Sequence, residues 1–181
     1  MSERTRDDDT TPSRTGTAGD VEPRSLGAYL DDHLAGSVGG SQRFERLAEV
    51  LRTSPVGPAL AEVARQVVEE REELRGVVQD LNLAGQNLPK QALVWVGERV
   101  SRLRAVGARL RRSPMATLLE VELLRAALVG KLGVWETLAD LAPSLGLDAG
   151  RAEELRRRTL EQVATLDRVH EYVRRRALTT R

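Results

Sequence analysis

Residues 82–112 read NLAGQNLPKQALVWVGERVSRLRAVGARLRR, and the way the chain uses these 31 positions decides how its long helices are arranged. Gly85, Pro89 and Gly107 interrupt the stretch, while Leu93, Val96, Val100 and Leu103 recur at helical spacing, so it predicts a connection carrying one short amphipathic helix. On either side of it, apolar residues return every three or four positions over much longer runs, the pattern of helices that face one another. A connection of this length exceeds what an ordinary bundle loop needs. It can travel back along the whole bundle, leaving the helices before and after it parallel.

The first helix is predicted from about Ser25 to Arg52, with Leu30, His33, Ser37, Gly40, Phe44, Leu47 and Leu51 on its inward stripe. Ser54-Pro55 and Gly57-Pro58 break the chain and restart it, since proline suits a first helical turn but not a helix interior. The second helix runs to about Leu81 on Leu60, Val63, Val67, Glu70, Leu74, Val77 and Leu81, so that one glutamate interrupts an apolar stripe. Ser113-Pro114 opens a third helix to about Leu141, which Pro143 and Gly146 end. Asp148 caps a fourth, to about Ala177, with Leu155, Thr159, Val163, Leu166, His170, Val173 and Ala177 facing inward.

No alternating run of β-branched residues suggests a strand, so the class is all-α. Short loops make two antiparallel hairpins, and the crossover between them gives a four-helix bundle of ferritin-like topology over residues 25–178. Residues 1–24 are rich in Thr, Ser, Asp, Gly, Pro and Arg and predict a disordered tail, having little apolar surface to offset the entropy of ordering.

The composition removes several classes of function. With no cysteine there are no disulfides, thiolate metal sites or cysteine nucleophiles. A formal net charge of +1 and 3% aromatic residues argue against a globally basic, base-stacking nucleic-acid binder. No apolar run approaches a membrane span, and a soluble, cytoplasmic protein is expected. No glycine-rich phosphate loop and no Ser-His-Asp arrangement is present. Lysine occurs only at positions 90 and 131, every other basic residue being arginine.

Residues 29–44, YLDDHLAGSVGGSQRF, put Gly36, Ser37, Gly39 and Gly40 where a helical seam ordinarily carries large apolar side chains. Two explanations compete: the small residues leave room for the Glu70 carboxylate and its partners, or they let a neighbouring helix backbone come close. Each glycine costs about 1 kcal/mol of helix stability relative to alanine, so a compensating contact is expected.

The segments YLDDHLAG in the first helix, EEREEL in the second and LLEVELLRAALVGKLGVW in the third resemble a group of uncharacterised, largely actinobacterial proteins of ferritin-like appearance. The resemblance spans roughly residues 26–176, rests most on the third helix and brings no established activity. The wider ferritin-like superfamily implies a di-metal carboxylate site, with a Glu on each of two helices and Glu-x-x-His on each of the others. Glu122 and Glu70 match in part, but Glu73 stands where the histidine after Glu70 is expected. Asp167 and His170 form an Asp-x-x-His variant, and His33 replaces a glutamate on the first helix.

Two readings of these residues follow. In the first, the chain is a non-catalytic structural or interaction protein without cofactor, in which Arg125 pairs with Glu70 or Glu122 and His170 completes a buried network. In the second, Glu70, Glu122, Asp167, His170 and His33 form a degenerate Fe or Mn site of a metal-binding protein or oxidoreductase. A third places function in the basic crossover, where Trp95, Arg99, Arg102 and Arg104 could contact an anionic membrane surface or nucleic acid. Leu128, Leu132 and Trp135 are predicted core, or alternatively a homodimer face.

Overall fold

The computed structural model describes residues 21–82 and 113–179. Four helices pack together, with no strand among the described residues: α1 (Pro23–Val50), α2 (Gly57–Asp80), α3 (Pro114–Leu145) and α4 (Ala149–Leu178). No described helix is long and apolar enough to cross a membrane. The predicted crossover helix, with Trp95, Arg99, Arg102 and Arg104, lies outside the described residues, as does the tail up to residue 20.

The helix ends follow local chemistry. Glu22 caps α1, accepting from the backbone N–H groups of Arg24 (3.0 Å) and Ser25 (2.6 Å), so the helix starts two residues before the predicted Ser25. Gly57 is required at the first turn of α2, because a Cβ there would meet the carbonyl oxygens of Leu51 and Arg52 at 2.6 Å. The third helix runs past Pro143 to Leu145 rather than ending near Leu141. Proline in the last turn forfeits one intrahelical bond, and the chain turns only at Gly146, whose φ of +67° suits glycine. Asp148 then caps α4 through the Arg151 N–H at 3.2 Å.

The backbone of each helix lies close to two others: α1 to α2 and α3, α4 to α3 and α2. Arg43 meets Glu120 near one end, and at the other a methyl added to Gly133 would lie 3.7 Å from the Tyr29 hydroxyl, so α1 and α3 are antiparallel. Gln66 meets Gln162 and Glu73 meets Arg151, so α2 and α4 are antiparallel as well. With α1 and α2 joined as a hairpin, α2 and α3 point the same way from opposite corners of the bundle.

The apolar core is split into two. One cluster includes Phe44, Leu47, Leu60, Val67, Leu128 and Leu166, and the other includes Leu30, Leu74, Val134, Trp135, Leu138 and Leu155. Leu128 and Trp135 are each 1% exposed within the chain, which removes them as a dimer face; Leu132 is half-buried. Between the clusters lies a polar layer holding Ser41, Glu70, Lys131 and Gln162.

In this layer α1 contributes no wall of large side chains. None of residues 31–40 is buried, and a Cβ added at Gly36, Gly39 or Gly40 meets nothing within 4 Å. Close backbone approach is therefore not the reason for these glycines; they border open space. Gly36→Ala and Gly40→Ala are each expected to stabilise the protein by about 1 kcal/mol through helix propensity alone. Urea unfolding measures this, and a loss of stability would mean that the glycines serve a backbone contact after all.

Candidate functional site

A single carboxylate organises the polar layer. Glu70 sits on the inward stripe of α2, between Val67 and Leu74, and is 1% exposed. Lys131 Nζ of α3 donates to its Oε2 and, at 2.5 Å, to Gln162 Oε1 of α4. Gln162 Nε2 donates to Glu70 Oε1 at 2.7 Å and also to Gln66 Oε1 at 2.9 Å. Arg158 of α4 brings Nε to 3.2 Å from Glu70 Oε1, while its Nη2 donates to Glu69 at 2.7 Å. Both oxygens of the buried anion are thus satisfied from two other helices, as its burial requires.

Lys131 is held below the ordinary lysine range, first by burial; Glu70 opposes that shift, and the like charge of Arg158 adds to it. A compact ammonium fits a site in which an anion and an amide oxygen must both accept from one atom, a task that the planar arginine fork serves less well.

The layer opens on one side into a chamber of about 290 Å³ between α1, α2 and α3. Gly36, Ser37 and Gly40 border it from α1, Glu70 and Arg71 from α2, and Lys131 and Trp135 from α3. Arg71 Nη1 donates to Ser41 Oγ at 3.2 Å, and its remaining nitrogens hold Glu72. His33 also lines the chamber, half-buried, its ring edge-to-face on Tyr29 at 4.6 Å between centroids. Burial lowers its pKa, partly offset by Asp32. A wider hollow of about 670 Å³ lies beside the α1–α2 hairpin, lined by Ala48, Pro58, Ala61 and Val68 together with charged residues such as Glu49 and Arg65, and it is more open to solvent.

The predicted site residues do not converge. Glu122 is 47% exposed and meets His170 at 3.2 Å on the α3–α4 surface. Arg125, expected on Glu70 or Glu122, instead holds Asp167, with Nε to Oδ1 at 2.8 Å and both side chains well exposed. The expected buried network of Glu70, Glu122, Arg125 and His170 is therefore corrected to Glu70, Lys131, Arg158 and Gln162. No group of three His, Asp or Glu side chains able to hold a metal occurs among the described residues. Nor does the donor chemistry around Glu70 fit a cation, because two positive side chains already share its carboxylate.

The reason for the shift is helical phase. The buried stripe of α4 is Ala152, Leu155, Thr159, Gln162, Leu166, Val169 and Val173. Stepping over the polar Gln162 to Val163 turns the reading by one residue and brings His170 inward in error. On α3 the stripe runs Val121, Leu124, Leu128, Lys131, Trp135, Leu138, and Glu122 points away from it. The inward glutamate there is Glu120, 5% exposed and gripped by Arg43 through Nε at 2.7 Å and Nη2 at 2.5 Å. The signal for Lys131 was available: it is one of two lysines in an arginine-rich chain and falls on a strict three-four repeat.

Comparison with known protein families, curated proteins and solved structures returns no match, so the side chains themselves carry the functional reading.

Glu70→Leu is expected to cost about 3–5 kcal/mol, because it strands Lys131 and Gln162 together. Lys131→Met should cost less, since Arg158 and Gln162 remain on Glu70, and the double variant should recover most of the Glu70→Leu loss. Equal costs for the two single variants in urea unfolding would refute the shared carboxylate.

His33 supplies a pH dependence. Its folded pKa lies below the ordinary 6.5, so between the two values the unfolded chain binds more protons. Its contribution is complete above 6.5 and is lost as pH falls through the folded value. Unfolding midpoints measured from neutral pH to about pH 5 should show this component, and His33→Asn should remove it.

Proposed function

We propose that the chain is a non-catalytic structural or interaction protein of ferritin-like topology, with an ion-paired interior layer in place of a di-metal centre. The observation that carries this reading is the contact of the Lys131 ammonium with the buried Glu70 carboxylate. A metal centre needs carboxylates free to give their lone pairs to a cation, and here Lys131, Arg158 and Gln162 already use them.

The common direction of α2 and α3, together with the 31-residue connection between residues 82 and 112, supports the ferritin-like arrangement. A reaction finds no comparable support. The imidazole–carboxylate contact of His170 with Glu122 lies on the surface between α3 and α4, away from the buried layer. An interaction role is supported by Met115, Leu119 and Leu123, which are 43, 58 and 47% exposed and stand one turn apart along the outside of α3.

Metal analysis tests the proposal. Untagged protein, loaded aerobically with Fe(II) or Mn(II) and desalted, is expected to retain far less than one metal per chain. Stoichiometric metal that disappears in the Glu70→Gln, Glu122→Gln double variant would establish the metal reading instead.

A further inference from the structure

The outer side of α3 is apolar where its neighbours are charged. Glu62, Arg65 and Glu69 are exposed on α2, and Arg157, Glu161 and Arg168 on α4. On α3 the outward positions are Met115, Leu119, Leu123, Ala126 and Gly130, all exposed, spaced four or three apart and without a charge over about four turns. Val129, 57% exposed, widens the patch. Single exposed leucines are ordinary, but a helix that is apolar on both its inward and its outward side belongs in an interior. Among the described residues α3 has no neighbour on that outer side.

The path of the chain supplies one. α2 ends at Asp80 and α3 begins at Pro114; because the two point the same way, residues 83–112 must return along the bundle, antiparallel to α3. The return is roughly 36 Å, the length of α2 at ~1.5 Å per residue. A helix over residues 93–103 takes about 16 Å of it, and the other residues, at up to ~3.3 Å each, are ample for the rest. Leu93, Val96, Val100 and Leu103 follow one another at intervals of three, four and three. Read in the opposite direction along α3, Ala126, Leu123, Leu119 and Met115 follow at three, four and four. The two stripes are thus in step when laid antiparallel.

Charge matches as well. Residues 83–112 carry seven basic side chains and one acidic, Glu98, a net of +6, so in a chain of net charge +1 the remainder is net −5. The exposed charges on the outer half of α3 are the acidic Glu122, Glu136 and Asp140, on one edge of the apolar stripe. Opposite charge at such a rim fixes orientation. The segment is also tethered: nine residues separate Leu103 from Ser113. A tether this short gives an effective concentration on the order of millimolar, which favours the chain's own segment over a second copy.

We propose that the outer face of α3 is the seat of residues 93–103, which pack on it antiparallel as a fifth helix. Leu93 then lies by Ala126, Val96 by Leu123, Val100 by Leu119 and Leu103 by Met115, with Arg99 on the edge that holds Glu122. This inference rests on the reading of α3's outer face as an interaction surface and names the occupant as part of the same chain.

The chain has no native cysteine, so engineered pairs report the seating in the full-length protein. Val100→Cys with Leu119→Cys is expected to oxidise to a disulfide within one chain, at a rate independent of protein concentration. It should form at least roughly tenfold faster than the pair Val100→Cys with Leu160→Cys, whose second site is 42% exposed on α4. Leu119 is 58% exposed, so the four-helix fold tolerates a charge there. Leu119→Asp should nevertheless accelerate trypsin cleavage after Arg99 and Arg102 by about tenfold, while Leu160→Asp leaves it unchanged. Equal oxidation rates for the two cysteine pairs, or cleavage that Leu119→Asp does not accelerate, overturns the proposal. A disulfide joining two chains overturns it too, but leaves the face an interaction surface with a second copy as its occupant.

Discussion

Burying the Glu70 carboxylate obliges three helices to keep one register, because its oxygens are satisfied only when Lys131, Arg158 and Gln162 reach the same depth in the bundle. A slip of one helical turn, ~5.4 Å, would set the carboxylate against leucine or valine and leave the ammonium without its anion. Apolar stripes alone tolerate such a slip, since one aliphatic layer resembles the next. A buried ion pair adds little net stability once desolvation is counted, so its effect is on which packing is selected more than on how strongly it is held. The Arg43–Glu120 pair acts in the same sense between α1 and α3.

Much of this fold was legible in the sequence. The breaks at Pro55, Gly57, Pro114 and Gly146 mark backbone conformations that only particular residues accept, and Asp148 and Ser113 cap the helices they precede. The inward position of Glu70 also followed from spacing, as neighbours Val67 and Leu74 fix its phase. Helical phase was harder where polar residues occupy the stripe. Gln162 and Lys131 look like surface residues by type, and a reading that seeks apolar positions steps to the next one, rotating each helix by about 100° per residue. That step carried His170 toward the interior on paper, and the ferritin-like Glu-x-x-His pattern brought Asp167 and Glu122 with it, whereas in the bundle His170 meets Glu122 and Asp167 meets Arg125 between α3 and α4.

The glycines of α1 illustrate a different limit. Their presence in a helix signals that something other than propensity is being satisfied, but sequence cannot say whether a backbone or a void lies opposite. The void is a consequence of all the neighbours at once: Glu70 drawn toward α4, Lys131 following it, and Trp135 packed in the cluster beyond. Only the assembled layer shows that the small side chains of Gly36, Ser37 and Gly40 border open volume.

These two features, the pinned carboxylate and the unfilled space, depend on each other. If a large apolar side chain from α1 closed the layer, Lys131 would be sealed between hydrocarbon and a carboxylate that Arg158 already shares, and its third donor would have no route to any acceptor. Burial already weakens its hold on the proton. An open side toward α1 lowers that cost, because water or a ligand oxygen can complete the ammonium's hydrogen bonds. The helix stability given up at the glycines is thus offset in the same layer, where it keeps the cation that fixes the register of α2, α3 and α4 from being stranded.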